Sequence, residues 1–172
     1  MMLARACGAV AMVLMAAGCA IDRDPPSGQP SFYQSMAQAN VEVDGGAATS
    51  MISGYRRNNG LGAVALDADL TQLAAEQSRA MAARDKLDHD LVRSLGARLK
   101  AGGYEAKLAS ENIGAGYHTL AEAFSGWRDS PGHRANMLMA GVTRIGIATA
   151  YNPKSKYKVY WTLILAAPAE RR

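Results

Sequence analysis

The sequence predicts an α+β fold in which about four helices pack on a small antiparallel sheet. Four stretches between residues 47 and 129 place apolar residues at helical spacing, next to residues that are typical of helix ends. Nearer the C-terminus, Ile145 to Tyr151 and Tyr157 to Leu165 are rich in β-branched and aromatic residues, and the Asn-Pro-Lys-Ser sequence between them indicates a hairpin. Helices followed by a small antiparallel sheet indicate the α+β class.

The first two helices are predicted between residues 47 and 86. The first covers about Ala47 to Asn58 and ends at the stop signal Asn58-Asn59-Gly60. The second has Asp67 or Asp69 as its N-cap and extends to about Lys86, with apolar residues recurring on one face. The apolar face of each of these two helices is expected to pack in the hydrophobic core.

The next segment places a histidine between two helices and a glutamate in a strand. His89 follows the second helix directly. Three leucines at four-residue spacing within Leu91–Leu99 then mark a third helix, which is closed by Gly102-Gly103. The segment from Tyr104 to Gly114 has no helical period, so we expect an extended segment that carries Glu111.

The fourth helix has the clearest start and stop signals. Thr119 followed by Glu122 is a capping box, so the helix is expected to begin at Leu120. Ser130-Pro131-Gly132 disfavours continued helix, so we expect the helix to stop near Asp129 and His133 to lie on a constrained turn.

Composition and charge restrict the class of protein. The chain has 172 residues, of which 49% are apolar, and this suits one globular domain with extensions. The formal net charge is only +4, and no stretch interleaves Lys or Arg with aromatic residues, so nucleic-acid binding has no support. The two cysteines, Cys7 and Cys19, both lie near the N-terminus, so no disulfide is expected in the domain.

The N-terminus has the layout of a secretory signal. Residues 1–18 contain Arg5, an apolar run and a small-residue boundary, which predicts a signal peptide. The sequence Met-Ala-Ala-Gly directly before Cys19 looks like a bacterial lipobox, so Cys19 is the expected lipid attachment site. The alternative is an ordinary signal peptide with Cys19 incidental. Residues 19–44 are expected to be a flexible tether and residues 45–169 the domain, held outside the cytoplasm on the cell envelope, at the outer membrane if the cell has one.

Several segments together resemble one known family. They are YRRNNGL at 55–61, MAARDKLDHD at 81–90, SENIG at 110–114, AFSGWRDSPGHRANML at 123–138, TRIGIATAY at 143–151 and YKVYWTLILA at 157–166. In this order they resemble the bacterial SCP-like branch of the CAP superfamily, which includes cysteine-rich secretory proteins, antigen 5 and plant pathogenesis-related proteins. The resemblance implies the family's α-β-α sandwich.

The resemblance also implies a polar cleft. In CAP domains two histidines and two acidic residues line a cleft, and His89, Glu111 and His133 occupy three of the matching positions. The second acidic position falls where this chain has Arg128, Asp129 and Ser130. Either Asp129 substitutes with a shorter reach, or Ser130 or water completes a triad, which is the reading we favour.

The residues themselves leave the chemistry of this cleft open. Two imidazoles and a carboxylate suit a divalent metal such as zinc, so His89 and His133 are candidate ligands and Glu111 is a candidate general base. The same residues could instead be hydrogen-bonded supports that pin the loops together. Asn112 is expected at the cleft, where it bridges the loops with Asn136, and His118 is expected to be exposed.

Three functions are compatible with these observations. The first is an envelope-anchored binding module for a lipid, sterol-like, glycan or protein ligand, which the family's known roles favour. The second is a metal-dependent hydrolase of the protease type that uses the same cleft. The third is a structural envelope protein. No GxSxG elbow is present, and no thiol remains after removal of the signal except at Cys19, so serine and cysteine hydrolases have no support.

Overall fold

A computed structural model describes residues 28–169 of the protein. The predicted signal peptide, the lipid-attachment residue Cys19 and the first part of the predicted tether lie outside the described residues. Within the described range, no helix has both the length and the apolar character that crossing a membrane requires.

The described residues contain five α-helices and four strands, so the predicted α+β class is confirmed. The helices are α1 (Gly45–Asn58), α2 (Ala68–Arg84), α3 (Leu95–Ala101), α4 (Leu120–Asp129) and α5 (Pro131–Met137). The strands are β1 (Ala65–Leu66), β2 (Ala106–Ala115), β3 (Arg144–Tyr151) and β4 (Val159–Pro168). A short 3-10 helix at Ser31–Tyr33 precedes them.

The sheet has the strand order β1-β3-β4-β2. Strands β3 and β4 form the predicted antiparallel hairpin, and β2 pairs antiparallel with β4. The prediction of a purely antiparallel sheet was wrong at one edge, because β1 pairs parallel with β3. The Asp67 N–H completes this edge by donating to the Ile145 carbonyl at 2.8 Å. A two-residue strand is too short to leave a periodic signal in the sequence.

The sheet is covered on both faces, as the predicted sandwich requires. On one face, α1, α4 and α5 pack against alternate residues of the hairpin strands, such as Trp161 and Leu163. On the other face, α2 and α3 pack against residues of opposite parity, such as Ile164 and Ala166. Because side chains alternate along a strand, β4 must be apolar at consecutive positions, which its sequence satisfies.

The structure adds one helix and shifts the start of another relative to the sequence prediction. Helix α4 ends at Asp129 as predicted, but Pro131 then occupies the first turn of a further helix, α5, where its missing N–H has no intrahelical partner to lose. His133 therefore lies in a helix, and its prediction on a constrained turn was wrong. Helix α3 begins at Leu95, capped by the Ser94 hydroxyl, so Leu91 precedes it.

The described part of the predicted tether packs against the domain. Met36 is only 2% exposed and contacts the core, and its N–H donates to the His118 carbonyl at 2.7 Å. The Ser31 hydroxyl donates to Asp44 at 2.6 Å, and Asp44 in turn caps α1 through the Ala47 N–H. This segment thus contributes to the fold, because Phe32, Met36, Ala37, Val41 and Val43 pack in or against the core cluster.

Candidate functional site

Glu111 lies in the middle of β2, opposite Ile164 of β4, and both of its carboxylate oxygens are occupied. Oε1 lies 2.8 Å from Nδ1 of His89, and Oε2 accepts a hydrogen bond of 2.5 Å from Nη2 of Arg98. The side chains of Glu111 and Arg98 are 3% and 4% exposed. A buried carboxylate is therefore fixed between a buried guanidinium and an imidazole, with charge-assisted hydrogen bonds on both sides.

His89 is held by its backbone and presents its ring to solvent. The amide nitrogen of Gln77, on α2, donates to the carbonyls of Asp88 and His89 at 2.7 and 3.2 Å. The His89 side chain is 49% exposed. Because Nδ1 faces the Glu111 carboxylate, we assign the ring proton to Nδ1, which leaves Nε2 as the accessible nitrogen. The hydrogen bond to Glu111 raises the pKa of His89 above its ordinary value of 6.5, although burial partly opposes this.

His133 is brought to the same place by a network of two asparagines. Asn112 of β2 donates from Nδ2 to the His133 carbonyl at 3.0 Å. Asn136 of α5 donates from Nδ2 to the Glu111 carbonyl at 3.1 Å and to Oδ1 of Asn112 at 2.9 Å. Burial lowers the pKa of His133, and the nearby charge of His89 lowers it further. The two asparagines thus tie the backbone at His133 to the strand that carries Glu111, while the electrostatic effect of His89 reaches His133.

Of the two other candidate residues, Asp129 has a partner outside this group and Ser130 has no capping role. Asp129 forms a two-point ion pair with its neighbour Arg128, at 2.8 and 3.1 Å, and its side chain is 67% exposed. Ser130 is the N-cap residue of α5, where its hydroxyl makes no capping hydrogen bond. His118 is exposed, in agreement with the prediction.

Sequence reasoning missed Arg98. The third helix was predicted from its leucines and no role was assigned to Arg98, yet Arg98 is as buried as the Glu111 that it binds. The available signal was that a carboxylate in a buried strand requires a cationic partner. That signal does not distinguish Arg98 from Arg93, so the sequence alone could not identify the partner.

The arrangement favours binding over base catalysis by Glu111. A general base must reach the proton that it takes, whereas the Glu111 side chain is only 3% exposed and is paired with Arg98 and His89. His89 and His133 are the accessible groups, and imidazole nitrogens can hydrogen-bond a polar ligand or coordinate a metal. In residues 28–169, no group of three or more His, Cys, Asp or Glu side chains is placed to hold a metal ion. A metal would therefore depend on the two imidazoles and on outside ligands.

Comparison with known sequences and structures identifies proteins that are similar to this chain. The sequence profile of the cysteine-rich secretory protein family, abbreviated CAP, matches residues 49–165. An uncharacterised protein of Bacillus subtilis (strain 168) is 27% identical over 125 residues, which covers 72% of this chain and 49% of that protein. This chain thus spans about half the length of that curated relative.

Two solved structures are similar over most of the described fold. One is an extracellular protein containing an SCP domain from Bacillus anthracis, with a TM-score of 0.63 and 27% identity, covering 71% of this chain and 39% of that one. The other is an outer surface protein from Borrelia burgdorferi, with a TM-score of 0.64 and 17% identity, covering 75% and 98% of the two chains. The second comparison supports the fold alone.

Proposed function

This chain belongs to the cysteine-rich secretory protein (CAP) family, and we propose that it is an extracytoplasmic binding module that holds a polar ligand between His89 and His133. The observation that carries the proposal is that both carboxylate oxygens of Glu111 are hydrogen-bonded, one to Arg98 and one to His89. The carboxylate thereby orients the His89 ring. Glu111 therefore holds the His89 ring, and Asn112 holds the backbone of His133 through its carbonyl. Such preorganised groups lose little entropy when a ligand binds.

Location outside the cytoplasm is supported by the sequence and by the relatives. Residues 1–18 have the layout of a signal peptide, and Cys19 follows a lipobox-like sequence. The similar structures are described as an extracellular protein and an outer surface protein. We therefore infer that a lipid on Cys19 attaches the domain to the cell envelope, where the ligand is to be found.

Among envelope ligands, a glycan fits the cleft best. Imidazole nitrogens donate to and accept from hydroxyl groups, which a glycan presents in quantity. A lipid, a sterol-like molecule or a protein would use apolar contact area instead, and these remain the competing outcomes of the test.

The test is binding of soluble envelope glycan fragments to the purified protein, measured by calorimetry. His89→Gln and His133→Gln should each weaken binding by roughly tenfold or more, because each removes a hydrogen bond to the ligand. His118→Gln is the matched control, since that exposed histidine lies outside the cleft and should leave affinity unchanged. Equal affinity in all three variants would contradict the glycan site, and recovery of a bound lipid by solvent extraction would replace it with a lipid site.

One observation also favours metal binding at the same cleft. A metal-bound histidine commonly donates its second ring nitrogen to a carboxylate, and His89 does this with Glu111. His89 and His133 would supply two donors, and a bound zinc ion would provide a Lewis acid there. Zinc titration should then show one site that is lost in His89→Gln and His133→Gln and kept in His118→Gln. Identical zinc uptake by the three variants would exclude this site.

A hydrolase remains the third candidate, and it makes a different prediction for Glu111. If Glu111 acted as a base, Glu111→Gln would abolish turnover of peptide, ester or glycan substrates in the presence of zinc. We expect no turnover above background for either protein, because both carboxylate oxygens are occupied.

A further inference from the structure

A second cavity lies between α2 and α3, apart from the residues of the cleft. It has a volume of about 400 Å³, and its lining includes Leu73, Gln77 and Arg98 as a buried floor and Asp69, Glu76 and Arg93 as an exposed rim. We call it the α2–α3 pocket. None of His89, Glu111 and His133 lines it, and its size is in the range of small-molecule sites.

The floor of this pocket carries two buried polar atoms that lack partners among residues 28–169. They are Oε1 of Gln77, a residue that is 0% exposed, and Nη1 of Arg98, which is 4% exposed. The other polar atoms of the two side chains are used, since Nε2 of Gln77 holds the loop at His89 and Nη2 of Arg98 holds Glu111. Buried polar groups are rarely left unpaired, because each costs free energy. The floor therefore lacks one acceptor for Arg98 and one donor for Gln77.

The charged residues of the rim are the second feature of this pocket, beside the two unpaired polar atoms. Asp69 and Glu76 supply two carboxylates, while Arg93 and the Glu111-paired Arg98 supply two guanidiniums, so the lining contains charged groups of both signs. A simple anion would be attracted by the arginines and repelled by the carboxylates, and a simple cation the reverse. A molecule with both charges is attracted by both sets.

We propose that the α2–α3 pocket is a binding site for a small zwitterion of the amino acid or short peptide class. The ligand's carboxylate accepts from Nη1 of Arg98, and its nitrogen donates to Oε1 of Gln77 while facing the rim carboxylates. Arg98 then holds the ligand with one nitrogen and Glu111 with another. This site is separate from the glycan site proposed for the cleft.

The first test compares zwitterions with molecules that carry only one of the two charged groups. Glycine, L-alanine and alanyl-alanine are titrated into the full-length protein and followed by ligand-observed NMR, beside acetate and methylammonium. The zwitterions should bind at least about tenfold more tightly than either half, because each half leaves one buried atom unpaired. Equal binding of acetate, or no binding of any probe, would overturn the proposal and leave ordered water as the partner of both atoms.

The second test blocks the pocket without touching its floor. Ala101 lines the pocket and is exposed at the end of α3, so Ala101→Phe should fill the space, abolish binding of the zwitterion and leave the thermal unfolding temperature unchanged. Ala97→Phe is the control, because Ala97 is exposed on the same helix but does not line the pocket.

A third variant changes the floor itself. Arg98→Lys keeps a cation for Glu111 but loses Nη1, so it should weaken binding by roughly tenfold or more. Unchanged affinity in Ala101→Phe would refute the site, whereas glycan binding in the cleft should survive that substitution and so reports on the other proposal independently.

Discussion

At the scale of single residues, the Arg98–Glu111 pair accounts for the position of the His89 ring. A carboxylate in the middle of a buried strand loses its hydration, and its burial is tolerated only when charge-assisted hydrogen bonds replace the water. Arg98 supplies one of them at 2.5 Å and His89 the other at 2.8 Å. Such a buried pair adds little net stability compared with apolar residues, but it fixes the ring that it contacts.

The contact between Glu111 and His89 should make stability depend on pH. The pKa of His89 is raised above 6.5, chiefly by its hydrogen bond to Glu111, so the protonated ring is favoured in the folded state. The stabilisation is fully present below pH 6.5 and is lost as the pH rises through the folded-state pKa. The difference in unfolding free energy between the wild type and His89→Gln should therefore shrink from acidic to alkaline pH, as measured by urea denaturation across that range.

His133 changes the pH dependence of stability in the opposite direction, so its effect must be separated from that of His89. Its pKa is lowered by burial, so its effect appears as a loss of stability when the pH falls below 6.5. The comparison is therefore best made in a His133→Gln background. A difference that grows with rising pH would contradict the assigned contact between His89 and Glu111.

The residue scale also shows what the sequence could and could not predict about the site. His89, Glu111 and His133 could be selected because they are polar groups in segments that match the family's motifs. Whether Asp129 joins the site could not be decided from the sequence, because its ion pair with Arg128 depends on the local geometry at the end of α4. Arg98 could not be selected from the sequence. Helix α3 has only seven residues, and on such a short helix the next position along the chain can be exposed where its neighbour is buried.

At the scale of elements, the packing of α2 on the sheet depends on Gly146 of β3. A Cβ atom at this position would overlap the backbone of Leu70 and Thr71 at the start of α2. Backbone atoms cannot swing aside as a flexible side chain can. Gly146→Ala should therefore destabilise the protein by at least about 3 kcal/mol, as measured by chemical denaturation.

Gly54 provides the control of opposite sign for this prediction. It lies inside α1, and a Cβ atom there would meet nothing within 4 Å. Gly54→Ala should stabilise the protein by about 0.5–1 kcal/mol, because alanine is the better helix former. If both substitutions gave the same small change, the close approach of α2 to β3 would be wrong.

Element boundaries were predictable where a local interaction fixes them. Helix α4 spans Leu120–Asp129 as expected, because the hydroxyl of Thr119 and the carboxylate of Glu122 form both bonds of the capping box. Helix α5 was not predictable from the same rules, since Pro131 both disfavours helix before it and suits the first turn of a new one. Only the packing of Met137 in the core decides between these outcomes.

At the scale of the whole molecule, contacts distant in sequence hold the layers together. Arg56 of α1 is buried and donates to the carbonyls of Gly62, Met137, Met139 and Val142, so it joins α1 to the segment between α5 and β3. No pattern in the sequence marks an arginine that binds three carbonyls more than 80 residues away. The fold class follows from periodicity, whereas these long-range contacts follow only from the assembled layers.

The N-terminal segment gives the last prediction, because it decides where the globular unit begins. The sequence suggested a flexible tether over residues 19–44, yet Met36 is buried against the core and hydrogen-bonded to the loop at His118. Met36→Ala should then destabilise the protein by about 2–5 kcal/mol, the cost of a buried methionine truncated to alanine. Gln34→Ala is the control, because Gln34 is exposed two residues earlier and should change the unfolding free energy by less than about 0.5 kcal/mol. Equal, small effects of the two substitutions in urea denaturation would mean that the segment detaches in solution and that the tether extends to α1.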